Sequence, residues 1–167
     1  MFPARVLRLF FGCYAFLVFL LLLFIATPVY LIVFLIAPDK QAAHIAHKIS
    51  RAWAFLLSVF FFQPYRVRNK SFIDPNKTYV FVANHRSQLD IPLFARACKN
   101  TFRFLAKAEL KKIPLLGYVI GRLYVTVNRS DRMNRTRSIE LLKQSLEQNI
   151  SVFLCPEGTR NRNEDPP

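Results

Sequence analysis

Thr78-Tyr79-Val80-Phe81-Val82-Ala83-Asn84-His85-Arg86-Ser87-Gln88-Leu89-Asp90 is the stretch on which the reading of this chain turns. Thr78 to Ala83 is apolar and rich in β-formers, and reads as a buried strand. Ile91 to Ala97 is an apolar, helix-like run. His85 therefore stands on the turn between a strand and a helix, where open α/β sheets carry their chemistry. It is also the side chain best suited to accept a proton near neutral pH.

The same residues have a purely structural reading. Ser87-x-x-Asp90 before an apolar run has the form of a capping box, with Ser87 as cap and Asp90 suited to the helix dipole. On an uninterrupted helix His85 and Asp90 would point about 140° apart. A helix that starts at Ser87 leaves His85 in the turn, free to fold back on Asp90. The cap and a His-Asp pair are thus compatible.

Composition narrows the class. The chain has 167 residues, 53% of them hydrophobic, with a formal net charge of +14 and a pI near 10.3. That length suits one modest domain plus a membrane segment. From Gln63 onward there are 19 Lys and Arg against 9 Asp and Glu, a balance of +10. No nucleic-acid motif accompanies this charge, and it follows a long apolar segment. Anionic headgroups and phosphorylated substrates explain both features, so nucleic acid is not expected as a partner. Cys13, Cys98 and Cys155 make neither a disulfide framework nor a metal-site spacing.

Leu9 to Ala37 is free of charge and longer than the roughly 20 residues a bilayer span requires. Pro28 is expected to kink or break it into Leu9–Thr27 and Val29–Ala37. A second segment, Gln41 to Phe62, begins with His44, His47, Lys48 and Arg51 and ends almost wholly apolar. The His pair lacks a carboxylate or Cys and reads as the polar face of an interfacial helix, not as a metal site. Residues 1–62 are expected to form the anchor, as transmembrane or re-entrant helices, and 63–167 the catalytic domain. Basic residues after the apolar run favour a cytoplasmic face for that domain.

Beyond the anchor, strands and helices alternate. Strands are expected at Tyr65–Arg68, Thr78–Ala83, Thr101–Ala106, Tyr124–Val127 and Ile150–Leu154. Helical runs follow at Ile91–Ala97, Leu115–Leu123 and Asp131–Gln148, the last with Ile139, Leu142 and Leu146 as its apolar stripe. This is the pattern of an α/β fold with a mostly parallel sheet flanked by helices. His85, Lys107, Arg129 and Arg160 each fall just past a strand end, so a parallel sheet would gather them along one edge.

Asn84-His85-x-x-x-x-Asp90 resembles the first signature of the glycerolipid acyltransferases of the lysophosphatidic acid acyltransferase type. Phe153-Leu154-Cys155-Pro156-Glu157-Gly158-Thr159-Arg160 resembles their Phe-Pro-Glu-Gly-Thr-Arg signature, with Cys155 where the family usually has Phe. Ala106 to Gly117 looks like the segment that connects them, and Val127-Asn128-Arg129 like the middle signature, with Asn128 in place of the usual acid. The resemblance runs from Tyr79 to Arg160. It implies transfer of a fatty acyl group from an acyl thioester, acyl-CoA or acyl-carrier-protein, to the hydroxyl of lysophosphatidic acid or a related lysophospholipid, in phospholipid biosynthesis at a membrane. It implies no metal and no cofactor beyond that co-substrate.

In this chemistry His85 is the general base and Asp90 fixes its tautomer. Arg129, Glu157, Gly158, Thr159 and Arg160 are implied at the acceptor site, and Lys107 is expected to add a point charge for the acceptor phosphate. The family's fourth signature, an apolar strand, is absent, so the domain is expected to be incomplete at its C-terminus and to leave a sheet edge open. Two other functions compete: a lipid esterase using Ser87 with His85 and Asp90, and a non-catalytic membrane-bound fragment.

Overall fold

The computed structural model describes residues 2–158. Thr159 and Arg160, two of the expected acceptor residues, lie outside them.

Helix α1 (Phe2–Ile36) is followed at once by α2 (Asp39–Phe60), with Pro38 as the first residue outside α2. Pro cannot continue the first helix but suits the entry to the second. The two form a hairpin sealed along small residues: Ala26 meets Ala42 and Ala46, with Tyr30 and Phe34 beside them. Farther along, Leu22 meets Leu57 and Phe61. The expected break at Pro28 does not occur, because α1 runs through it. Pro28 lies on the exposed side of the helix, while Leu22, Leu23, Ala26, Thr27, Tyr30 and Phe34 are buried on both sides of it. That continuous seam holds the helix across one missing hydrogen bond. Thr27 Oγ1 also donates to Leu23 O at 2.8 Å.

The α/β part contains four parallel strands, β1 (Val80–Val82), β2 (Phe102–Lys107), β3 (Val125–Val127) and β4 (Ser151–Leu154), in the order β1-β4-β2-β3. Helix α3 (Asp90–Ala97) joins β1 to β2, α4 (Leu116–Leu123) joins β2 to β3, and α5 (Arg132–Glu147) joins β3 to β4. The α/β class with a parallel sheet and a long apolar N-terminal helix is as expected. β4 is interior, paired with β1 through Val80–Val152 and with β2 through Phe104–Phe153. Its near-continuous apolar sequence has that cause: both faces are covered.

One face of the sheet is aromatic. Phe102, Phe104 and Phe153 are buried with Ala95 and Cys98, and Phe81 and Phe94 pack against them. Phe94 stacks on Phe153 with ring centroids 4.4 Å apart, which fixes α3 against β4. The other face is covered by α5, whose Leu142 packs with Val125 and Val152. The buried positions of α5 are Ser138, Leu142 and Ser145, so its stripe is shifted from the expected one and Ile139 is 54% exposed. Asp131 caps α5 by accepting from Met133 N and Asn134 N. Asn149 ends it in the left-handed region at φ 60.

Two strand expectations change. Tyr65–Arg68 is coil, and no strand among the described residues pairs with it. β1 is an edge strand, not a buried one: Phe81 faces the aromatic core, while Val80 and Val82 are exposed. Alternation along a short apolar strand cannot distinguish one covered face from two.

The polar half of α2 also has a different role from the interfacial one expected. His47 is buried and its Nε2 donates to Cys98 O at 3.2 Å, and His44 Nδ1 lies 2.7 Å from Thr101 Oγ1. These bonds dock α2 on the loop that enters β2. Burial pushes the His47 imidazole down to about 4, with Arg51 and His44 acting in the same direction. Tyr30 and Phe34 of α1 likewise pack with Val119 and Leu123 of α4.

Candidate active site

The C-terminal ends of four parallel strands lie along one edge of the sheet. His85 follows β1, Lys107 is the last residue of β2, Arg129 follows β3, and Cys155–Gly158 follows β4. The segment from His85 to Leu89 is not helical, and α3 begins at Asp90 with Leu89 as its cap, two residues later than a Ser87 cap would place it. The delay has a visible cause. The Asp90 carboxylate folds back over the preceding turn and holds it open.

Asp90 Oδ2 lies 3.1 Å from His85 Nδ1. The same oxygen accepts from the backbone N–H groups of Arg86 and Ser87, each at 2.7 Å. An Asp carboxylate is acceptor-only, so it accepts from the imidazole Nδ1–H as it does from the two backbone donors. The proton is thereby held on Nδ1, leaving the Nε2 lone pair for a substrate. The His and Asp side chains are 20% and 19% exposed, shielded yet reachable. Ser87 takes another part: its Oγ accepts from Leu89 N at 3.1 Å, closing a local turn. The hydroxyl oxygen is occupied by its own loop, which does not favour the esterase arrangement.

The β4 loop adjoins this pair. The Cys155 thiol is raised by burial first, then by the negative charges of Asp90 and Glu157. That places both carboxylates within electrostatic reach of one sulfur. Gly158 N donates to Cys155 O at 3.0 Å, and Gly158 takes φ +67, a conformation that only Gly adopts without strain. Arg129 Nη1 donates to Gly158 O, joining the loops after β3 and β4. Glu157 Oε2 is buried without a hydrogen-bond partner among the described residues. Lys107 pairs with Glu109 at 3.4 Å, and both side chains are more than half exposed. So the structure brings His85 to Asp90 and Arg129 to Gly158, whereas Lys107 turns to its near neighbour in sequence. Among the described residues no group of three or more His, Cys, Asp or Glu is placed to hold a metal.

Two features of this edge escaped the sequence. The backbone amides of Arg86 and Ser87 are the main support of Asp90, and backbone donors leave no trace in residue types. The packing of Cys155 on the aromatic cluster, beside Ile91 and Phe94 of α3, depends on the β1–β4 pairing, which joins segments 72 residues apart at Val80 and Val152.

The family model described as Acyltransferase matches residues 64–166. The chain belongs to that family. A 1-acyl-sn-glycerol-3-phosphate acyltransferase of Chlamydomonas reinhardtii is 28% identical over 144 residues, covering 82% of this chain and 43% of that protein. A chloroplastic 1-acyl-sn-glycerol-3-phosphate acyltransferase of Arabidopsis thaliana is 29% identical over 132 residues, covering 78% of this chain and 36% of its own. Among solved structures, the crystal structure of the 1-acyl-sn-glycerophosphate acyltransferase PlsC from Thermotoga maritima superposes with a TM-score of 0.78 at 25% identity. That match covers 94% of this chain and 63% of PlsC. The acyltransferase chain thus spans less than half the length of these two curated relatives. These neighbours agree with the lysophosphatidic acid acyltransferase type and with the PlsC-like fold.

Proposed function

We propose that this acyltransferase transfers a fatty acyl group from an acyl thioester to the hydroxyl of lysophosphatidic acid or a related lysophospholipid, in phospholipid biosynthesis. The observation that carries this reading is the His85–Asp90 hydrogen bond at the strand-to-helix turn. A lysophospholipid hydroxyl is a weak nucleophile and needs a base as it attacks the thioester carbonyl. His85 Nε2 takes the hydroxyl proton as the new ester C–O bond forms. Asp90 stabilises the imidazolium that results, and the proton then passes to the departing thiolate as the C–S bond breaks. Water is not consumed and no acyl-enzyme is required.

The acceptor phosphate is assigned to the loops after β3 and β4. Arg129 supplies a guanidinium and Gly158 a close backbone approach, while Glu157, with a buried carboxylate oxygen that has no partner among the described residues, is assigned to orienting Arg160 or to an acceptor hydroxyl. Thr159 and Arg160 are assigned to the same site from sequence. Lys107 adds a positive charge at the end of β2. The donor is acyl-CoA or acyl-carrier-protein.

The membrane reading rests on α1. Ala4–Ile36 is long and apolar enough to cross a bilayer. At about 1.5 Å per residue it is also longer than a hydrocarbon core of about 30 Å. Its second half is packed on α4 through Tyr30 and Phe34, which favours a re-entrant hairpin with the catalytic domain held against the cytoplasmic face. Residues 1–62 are then the anchor and 63–167 the catalytic domain. The test is acyl transfer to lysophosphatidate by wild type and His85→Ala in detergent. Turnover that survives the substitution sinks the mechanism.

A further inference from the structure

Two clefts share Phe55 and Arg96 as a common wall. One, of about 630 Å³, is lined by Phe55 and Val59 of the end of α2 and by Phe62 and Pro64–Val67 of the segment that follows. The other, of about 290 Å³, reaches Lys48 and Arg51 in the polar half of α2. Neither includes His85, Asp90 or the loops after β2, β3 and β4.

The charge of this double cleft is one-sided. Lys48, Arg51, Arg66, Lys70 and Arg96 line it, with no Asp or Glu among the lining residues. None of the ion pairs among the described residues involves these five. Arg51 Nε and Arg96 Nε are buried without a hydrogen-bond acceptor. The Arg96 guanidinium sits 5.0 Å above the Phe55 ring, and the fields of Arg96 and Arg51 both reach the Tyr65 phenol. Buried guanidinium nitrogens without an acceptor are costly, and like charges gathered together add repulsion. A bound anion relieves both.

The other wall is apolar and open. Phe55, Val59 and Phe62 are exposed, and Phe62 stacks on Tyr14 of α1 with ring centroids 6.4 Å apart. Through that stack the cleft borders α1, where Phe10, Leu17 and Leu21, at helical spacing from Tyr14, are exposed. A ligand that satisfies this geometry carries a phosphate at one end and a hydrocarbon chain at the other. We propose that the double cleft binds one anionic phospholipid, its phosphate on Arg51 and Arg96 and an acyl chain along Phe55, Val59 and Phe62. This rests on the membrane attachment of the α1–α2 hairpin and is separate from acyl transfer at His85.

The test uses the full chain in neutral detergent, titrated with phosphatidylglycerol, with phosphatidylcholine of the same chains, and with glycerol 3-phosphate. Bound lipid is read by native mass spectrometry. Phosphatidylglycerol is expected to bind about tenfold more tightly than phosphatidylcholine, and glycerol 3-phosphate to compete poorly because it lacks the chain. Arg51→Gln with Arg96→Gln is expected to remove that preference. Lys48→Gln with Lys70→Gln, both on exposed side chains that leave the fold intact, is expected to weaken phosphatidylglycerol about threefold. Equal binding of phosphatidylcholine, equal binding of glycerol 3-phosphate, or no loss in the exposed pair overturns the site. Flotation on neutral phosphatidylcholine vesicles reports the attachment itself. A chain that floats without a phosphatidylglycerol preference overturns the site alone; one that does not float overturns both.

Discussion

Asp90 and His85 meet through a single carboxylate oxygen, Oδ2, which also accepts two backbone N–H groups of the turn between them. One atom thus orients the imidazole and shapes the loop that carries it. Asp90→Asn should therefore do two kinds of damage, replacing the negative charge and leaving at least one donor of the turn without a strong acceptor. Acyl transfer should fall by a factor on the order of 10²–10⁴, as for loss of a general base. His85→Ala should lose as much activity while unfolding at the wild-type temperature, since His85 stands in the turn outside α3 and supplies none of the bonds that hold that turn. Comparison of the two melting temperatures checks the distinction: equal melting temperatures would contradict the structural role of Asp90.

Arg129 reaches the carbonyl of Gly158 across two loops. Arg129→Ala should raise the KM for lysophosphatidate more than it lowers kcat, and Arg129→Lys should recover little because a fork is replaced by a point charge. A drop in kcat alone would remove Arg129 from the acceptor site. Gly158→Ala should cost about 1–2 kcal/mol through its positive φ. Space is not the obstacle there, because an added Cβ would find its nearest neighbour, Arg129 Nη1, at 3.6 Å.

Gly117 is different. A Cβ there would lie 2.1 Å from the carbonyl oxygen of Lys111. Gly117→Ala must displace backbone at the start of α4, whose Val119, Ile120 and Leu123 are buried. We expect a loss of about 2–4 kcal/mol, in the range of severe single substitutions, read as a fall in the detergent unfolding midpoint. A variant as stable as wild type would show that the Lys111 turn yields freely.

His47 makes α2 docking sensitive to acid. Its folded value, about 4, is below its ordinary value of 6.5. The unfolded chain therefore binds more protons between these values, so stability is complete above about pH 6.5 and declines as pH falls toward 4. The shift corresponds to roughly 3 kcal/mol at most. Protease cleavage in the Ala37–Asp39 corner or in the Cys98–Thr101 loop should increase between pH 7 and pH 5. His47→Gln should flatten that dependence, and an unchanged pH profile would discount the burial of this imidazole.

Membrane attachment through α1 should resist salt, since apolar burial is not screened while exposed charges are screened over about 10 Å at 0.1 M. Washing membranes with 1 M salt should leave the chain in the pellet. Removal of residues 1–62 should not release a well-behaved domain, because α1 and α2 cover Val119, Leu123 and Cys98. Aggregation of that fragment is the expected result, and a monodisperse soluble fragment would argue against the packing.

Much of this protein was decided locally and is legible in its residues. The apolar patterns mark all four of the described strands of the sheet and the three helices that join them, because each element buries one face or two. His85 at a strand end, with Asp90 five residues on, already places the pair on one turn. What the chain could not disclose is whatever depends on partners distant in sequence. Pro28 is tolerated because Ala26 and Tyr30 are clamped by Ala42, Ala46 and their neighbours. Tyr65–Arg68 alternates like a strand yet pairs with none of the described strands. Val80 and Val82 are exposed because α5, which covers their face of the sheet, packs over β3, β4 and β2 and not over the β1 edge. His44 and His47 read as a solvated helix face until Cys98 and Thr101 arrive against them. Sequence specifies what each segment is able to bury; only the tertiary fold settles which segment it is buried against, because that choice is made by pairing and packing between residues that share no local pattern.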